Sequence, residues 1–222
     1  MPAGLLALAF IPVVIGSIRV VQLLGGPAGI EPDARFDAAP TPVVVHLVAS
    51  IGYAVLGAFQ FSPGLRRRGW HRRAGRVLVP LGLVVAGSAL WLTLLYDRKD
   101  GSGTLLYSVR LLVGTGMGAC VLLGLAAIRR RNIAAHAAWM TRAYALALGV
   151  GTQAFTVGFG EAVFGAGVVR TDLMMTAGWG LNLAAAELLI RRAPSVHVPR
   201  QRQPATAHIK RSDPSTVVGG VQ

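Results

Sequence analysis

Acidic side chains are scarce in this chain. Asp and Glu number 9 against 22 Lys and Arg, only 14% of the 222 residues are charged, and 53% are hydrophobic. A soluble domain carries about a quarter charged residues. With so few, the chain cannot clothe a globular surface in polar groups. An ordinary water-soluble domain is excluded, and lipid must solvate much of the protein. The mean hydropathy of +0.56 agrees. The single cysteine, Cys120, stands in an apolar run. It excludes an intrachain disulfide and any cysteine-pair metal motif, and reads as a small packing residue. No catalytic triad, Gly-rich nucleotide loop or H-E-x-x-H pair is present.

What is present is a net charge of +13. Such a balance often marks a nucleic-acid binder. Here the arginines fall in short clusters between apolar stretches rather than along one soluble face, so no nucleic-acid partner is expected. Six apolar windows are long enough to cross a bilayer as helix: 3–24, 41–63, 76–96, 105–128, 141–164 and 173–190. The first lacks a basic start and carries Arg19, so it reads as a membrane helix and not a signal peptide. The expected fold class is therefore all-α: a polytopic transmembrane bundle of six helices over residues 1–192, with lipid as its partner. Residues 193–222, basic and rich in Pro, Ser and Thr, read as a disordered cytoplasmic tail that includes His197 and His208.

The connections set the direction. Arg66, Arg67, Arg68, Arg72, Arg73 and Arg76 follow the second window, and Arg129, Arg130, Arg131 and Arg142 surround the turn after the fourth. Arg191, Arg192, Arg200, Arg202, Lys210 and Arg211 follow the sixth. The other side has only Arg35, Arg98, Lys99 and Arg170, together with the acidic Glu31, Asp33, Asp37, Asp97, Asp100 and Asp172. The positive-inside rule then places both termini in the cytoplasm of a bacterium, with the protein in its cytoplasmic membrane. The two arginine-rich turns, "LRRRGWHRRAGR" and "IRRRNIAAHAAWMTR", also echo each other as the centres of two hairpins.

Polar residues inside membrane spans are costly and are read first as functional candidates. They form two layers about 30 Å apart, counted from the helical rise. The outer layer is Arg19, His46, Arg110 and Glu161, a candidate site for a quinone-like or anionic group. Its structural reading is snorkelling of the arginines, with Glu161 neutralising one of them. The inner layer holds His71, Arg72, Arg76, His136, Trp139, Arg142 and Glu187, with Asn182 somewhat deeper. Glu187 and Arg191, four apart, suit an ion pair along one helix. Two neutral imidazoles at one level, His71 and His136, are candidate axial ligands to the iron of a b-type haem, and Arg76 and Arg142 could hold its propionates. The competing readings are a transport path lined by Arg19, Arg110, Glu161, Gln153 and Asn182, or an accessory scaffold for a larger membrane complex. Composition alone leaves these open.

The segments "PTPVVVHLVASIGYAVLGAFQFSPGLRRR" (40–68), "HRRAGR" (71–76), "HAAWMTRAYALALGVGTQ" (136–153) and "GWGLNLAAAELLIRR" (178–192) resemble bacterial membrane proteins of the domain of unknown function 2306 family. The resemblance spans residues 5–192. It rests on H-R-x-x-G-R and H-R-x-W-M-x-R patterns, met by His71, Arg72, Gly75, Arg76, His136, Trp139, Met140 and Arg142, while Ala137 stands where the family often has arginine. It implies a multi-pass inner-membrane protein and no particular activity.

Overall fold

The computed structural model describes residues 2–67 and 69–192, without the side chains of Arg66 and Arg67. The expected tail, 193–222, lies outside the described residues. Every regular element among those described is helical: α1 (Pro2–Leu23), α2 (Pro40–Gln60), α3 (Pro63–Arg67), α4 (Trp70–Leu95), α5 (Thr104–Arg129), α6 (Ile133–Ala147), α7 (Gly149–Phe164) and α8 (Val168–Arg192), with a 3-10 turn at Ala34–Phe36. Five of them, α1, α2, α4, α5 and α8, are long and apolar enough to cross a membrane. Large apolar side chains lie exposed along them, among them Phe10, Leu112 and Leu181, as a lipid-facing surface requires.

The expected window 141–164 departs from the prediction. It is two helices, 15 and 16 residues long, which meet at Leu148. The cause lies in the neighbours. A Cβ on Gly149 would overlap the Trp179 ring of α8, and one on Gly151 would overlap the Leu8 carbonyl of α1. The glycines let both helices press against the chain where it breaks. Asn182 of α8 then donates from Nδ2 to the Ala145 carbonyl, 3.3 Å away and one turn before the break. Broken helices survive in lipid where neighbouring side chains take up such backbone groups.

Local signals explain the other ends. Pro40 opens α2 at its first turn, where a missing N–H costs nothing. Asn132 caps α6 by accepting from Ala135 N at 3.0 Å. Arg131 takes a left-handed φ of 60° so that α5 can turn into α6. Helices α4, α6 and α8 start earlier than their apolar windows, and His71 and His136 lie in the first turns of α4 and α6.

The helices α1, α2, α4, α5, α8 and α7 pack in that order as a closed ring, and α6 fits among α2, α5 and α8. The two hairpins α2–α4 and α5–α6 also pack on each other through α4 against α5 and α2 against α6. They make a four-helix group with α4 and α6 on one diagonal. Tyr144 of α6 anchors its centre. Its hydroxyl donates to the Ala54 carbonyl at 2.7 Å, its ring packs on Tyr53 and Phe61, and a Cβ on Gly57 would overlap it. Ala9, Ala49, Val85, Met117, Leu146 and Leu148 complete this core.

Close approach at Gly151 gives a paired test. Gly151→Ala should destabilise the detergent-solubilised protein by about 1–3 kcal/mol through overpacking. Gly158→Ala, whose Cβ meets nothing within 4 Å, should leave it unchanged or slightly more stable. Thermal unfolding of both variants measures the difference.

Candidate functional site

The arginine-rich turns lie at one end of the bundle, and the inner-layer residues lie near them. Arg142 of α6 is committed: its Nε and Nη2 donate to the two carboxylate oxygens of Glu187 on α8 at 2.5 and 3.0 Å. The guanidinium also stacks on Trp139, 4.8 Å from the ring centroid. A two-pronged Arg–carboxylate pair fixes orientation as well as charge. Glu187 thus reaches across to α6, where the sequence suggested its own helix neighbour Arg191. The pair holds Arg142 as a link between helices, and its charge is already met.

His136 is held just as firmly. Its Nδ1 lies 2.9 Å from the Gly124 carbonyl of α5. A carbonyl only accepts, so Nδ1 carries a proton, and in the neutral ring the lone pair is then at Nε2. That is the tautomer in which imidazoles bind metals. His71 stands on α4, the diagonal partner of α6, and its backbone carbonyl accepts from Gln60 Nε2 of α2 at 3.5 Å. Arg72 and Arg76, on the same first turns of α4, are exposed.

Deeper polar groups are tied to one another. Thr152 donates to Asn182 Oδ1 at 2.8 Å, Gln153 Nε2 to the Met175 carbonyl at 3.0 Å, and Thr156 to the Met174 carbonyl at 2.7 Å. These bonds sew α7 to α8. They account for Gln153 and Asn182 as structural groups.

At the opposite end the four outer-layer residues separate. Among the described residues no hydrogen bond or ion pair joins any two of them. Arg19 donates to Gln22 at 3.0 Å and to the Glu31 carbonyl at 2.9 Å, which pins the loop 24–39. Glu161 is exposed at the end of α7 and lines a shallow cleft with Arg170. His46 Nδ1 lies 2.9 Å from Ser88 Oγ of α4. Arg110 is half-buried, and Asp172 and Arg35 are the charges that act on it.

Asp172 is the residue that sequence reasoning missed. Counted there as a loop acid, it is 2% exposed. From α8 it accepts from Gly103 N at 3.0 Å and Leu106 N at 3.1 Å, the first N–H groups of α5. Helix α5 has no side-chain cap of its own, so a carboxylate from another helix supplies it and meets the positive end of the helix dipole. The spacing of 66 and 69 residues leaves no local signal for this.

The loop above is strapped by charge. Asp33 accepts from Arg35 Nε at 2.8 Å and Nη2 at 2.5 Å. Arg35 also donates to the Asp97 carbonyl at 3.2 Å, and Tyr96 donates to the Ala39 carbonyl. The Arg35 hydrogen bonds hold the Asp33 carboxyl below its ordinary 3.8.

A family model described as a predicted membrane protein, DUF2306, matches residues 43–190. No curated protein and no solved structure matches the chain.

Two outcomes test this geometry. Asp172→Ala should cost about 2 kcal/mol or more by leaving the α5 N–H groups without their charged acceptor, with Asp172→Asn recovering part of it; thermal unfolding reads both. A depressed carboxyl pKa stabilises the fold above its unfolded value, and the gain is lost as pH falls through the folded one. The 24–39 strap should therefore hold at neutral pH and loosen only below the ordinary 3.8. In an Asp33→Asn variant it should be loose throughout. Hydrogen exchange of residues 30–37 against pH measures this.

Proposed function

The chain belongs to the DUF2306 family of predicted membrane proteins, and from that premise we propose that it is a small membrane electron carrier that binds haem b between His71 and His136. The observation that carries this reading is the four-helix group. Its diagonal helices α4 and α6 carry the two histidines in their first turns, and the Gly124 carbonyl holds His136 Nδ1, which leaves Nε2 of the neutral ring to serve as the ligand in this reading. The donor set suits the group: the imidazoles of His71 and His136 would hold the iron, and Arg72 and Arg76, exposed on the same helix as His71, would pair with the propionates. Haem, when bound, would supply one-electron transfer. The chain's part is to hold the ligand ring through the Gly124 carbonyl. The Glu187–Arg142–Trp139 stack braces α6 against α8 within two turns of His136. Arg142 serves this reading as a brace rather than a propionate partner.

In this proposal α6 and α7 together make the sixth crossing. The arginine-rich turns face the cytoplasm of a bacterium, the 24–39 loop faces outward, and residues 193–222 form a separate cytoplasmic tail. The support is the alternation of helices, which gathers the basic turns at one end.

A second reading, an accessory scaffold without a redox group, draws on the paired polar side chains of α7 and α8. They spend their hydrogen bonds on helix packing, which also weighs against a polar transport path through them.

Expression with ample haem and purification in mild detergent decide between the readings. The carrier predicts a Soret band that shifts on reduction and is lost in His71→Ala and in His136→Ala, while both variants stay folded. A folded wild-type protein with no Soret band would overturn it. Unchanged cellular function of the double alanine variant, with other subunits copurifying, would favour the scaffold.

A further inference from the structure

His46 is the one outer-layer histidine, and its surroundings limit what it can bind. The Ser88 hydroxyl lies 2.6 Å from the Val84 carbonyl and 3.2 Å from that of Val85. Its single proton is thus committed to a backbone acceptor, and toward His46 the oxygen can only accept. His46 Nδ1 must therefore donate to it across 2.9 Å. In the neutral ring that places the lone pair at Nε2. An anion would meet a lone pair there rather than a donor, which favours the neutral half of the expectation for this residue. A metal finds too few partners, since among the described residues no three His, Cys, Asp or Glu gather. The fitting ligand is a neutral molecule that donates an O–H.

Position narrows this further. His46 lies six residues after Pro40, about 9 Å along α2 and within the apolar depth. Its α2 neighbours Val45 and Val48 are exposed, as are Val84 and Trp91 on the α4 face that carries Ser88. On the same face Gly87 is exposed, and a Cβ there would meet nothing within 4 Å. Val45, Val84, Gly87 and Trp91 thus face lipid on the turns of α2 and α4 that carry His46 and Ser88, and the His46 ring is itself partly exposed, with Trp91 one turn from the free space at Gly87.

We propose that this α2–α4 face is a lateral binding site for a membrane hydroquinone, whose hydroxyl donates to His46 Nε2 while its ring packs on Trp91 at the open face of Gly87. The proposal deepens the electron-carrier reading by naming the chemical class of the donor. It concerns binding only and does not require haem to be present.

The test is anaerobic calorimetry of the full chain in lipid nanodiscs with tetramethyl-hydroquinone and with tetramethyl-benzoquinone. The oxidised form lacks the O–H and leaves Nε2 unmet. The reduced form should bind about tenfold more tightly, the effect of roughly one hydrogen bond. His46→Ala should weaken reduced-form binding about tenfold and erase the preference. Trp91→Leu should weaken both forms and keep it. Ser88→Ala, which frees the imidazole to move its proton to Nε2, should shrink the preference with the ring still in place. Equal binding of the two forms by the wild type, or a His46→Ala variant that keeps the preference, overturns the proposal. The absorption spectrum of the same samples reports haem separately. A redox-dependent affinity without a Soret band removes the haem alone, and a Soret band without that affinity removes the hydroquinone site alone.

Discussion

Lipid offers no hydrogen bonds, and that one constraint shapes this protein. Every polar group placed at membrane depth must find its partner within the chain. Helices satisfy most of the backbone. The exceptions are the helix ends and the break at Leu148, and it is there that the buried polar side chains stand. Asp172 meets the N–H groups of α5 from α8. Asn182 meets the carbonyl of Ala145 beside the break, and Thr152 in turn meets Asn182. Gly124 offers its carbonyl to His136. Helix α8 supplies two of these repairs, so its packing on α5, α6 and α7 is polar where the α2–α4 and α4–α5 contacts are mainly apolar.

The same constraint separates function from support. The hydrogen bonds of Gln153 and Asn182, which composition alone made candidates for a polar path, run to Met175 of α8, to Ala145 of α6 and to Thr152 of α7, and so tie helices together. Arg142 does as well, since its charge is spent on Glu187. What is left over is informative. His136 and His46 each have Nδ1 engaged, with the Gly124 carbonyl and the Ser88 hydroxyl respectively, and among the described residues no side-chain hydrogen bond is made by Nε2 of either.

Much of the architecture was legible because it is written in composition and period. The apolar windows and arginine turns gave the helices and their common end, and the echo between the two turns corresponds to the two hairpins of the four-helix group. The family pattern around His71 and His136 fell where the matching model lies. The break at Leu148 was not legible. It depends on Trp179 and Leu8 pressing on Gly149 and Gly151, and apolar helices joined in line read as one window. Asp172 was misplaced because its partners lie 66 and 69 residues away. The outer layer looked like one site because depth counts residues along a helix but not the direction around the bundle. Arg19 points to the loop, His46 to α4, and Glu161 to the α7–α8 turn.

The two anchored histidines differ in a way that depth could not reveal. His136 leans on a backbone carbonyl, which can never donate. Its Nδ1–H stays on that carbonyl for as long as α5 and α6 stay packed. His46 leans on a hydroxyl whose own proton goes to the Val84 carbonyl, so the oxygen is left to accept from the ring. The difference lies in what holds each acceptor in place: the packing of two helices for Gly124, and one hydroxyl proton bound to its own helix for Ser88. Removing the Ser88 hydroxyl would release the His46 ring, whereas no side-chain change on α5 short of moving the helix would release that of His136. Ser88 opposite one histidine and Gly124 opposite the other thus set the two ends of the bundle apart.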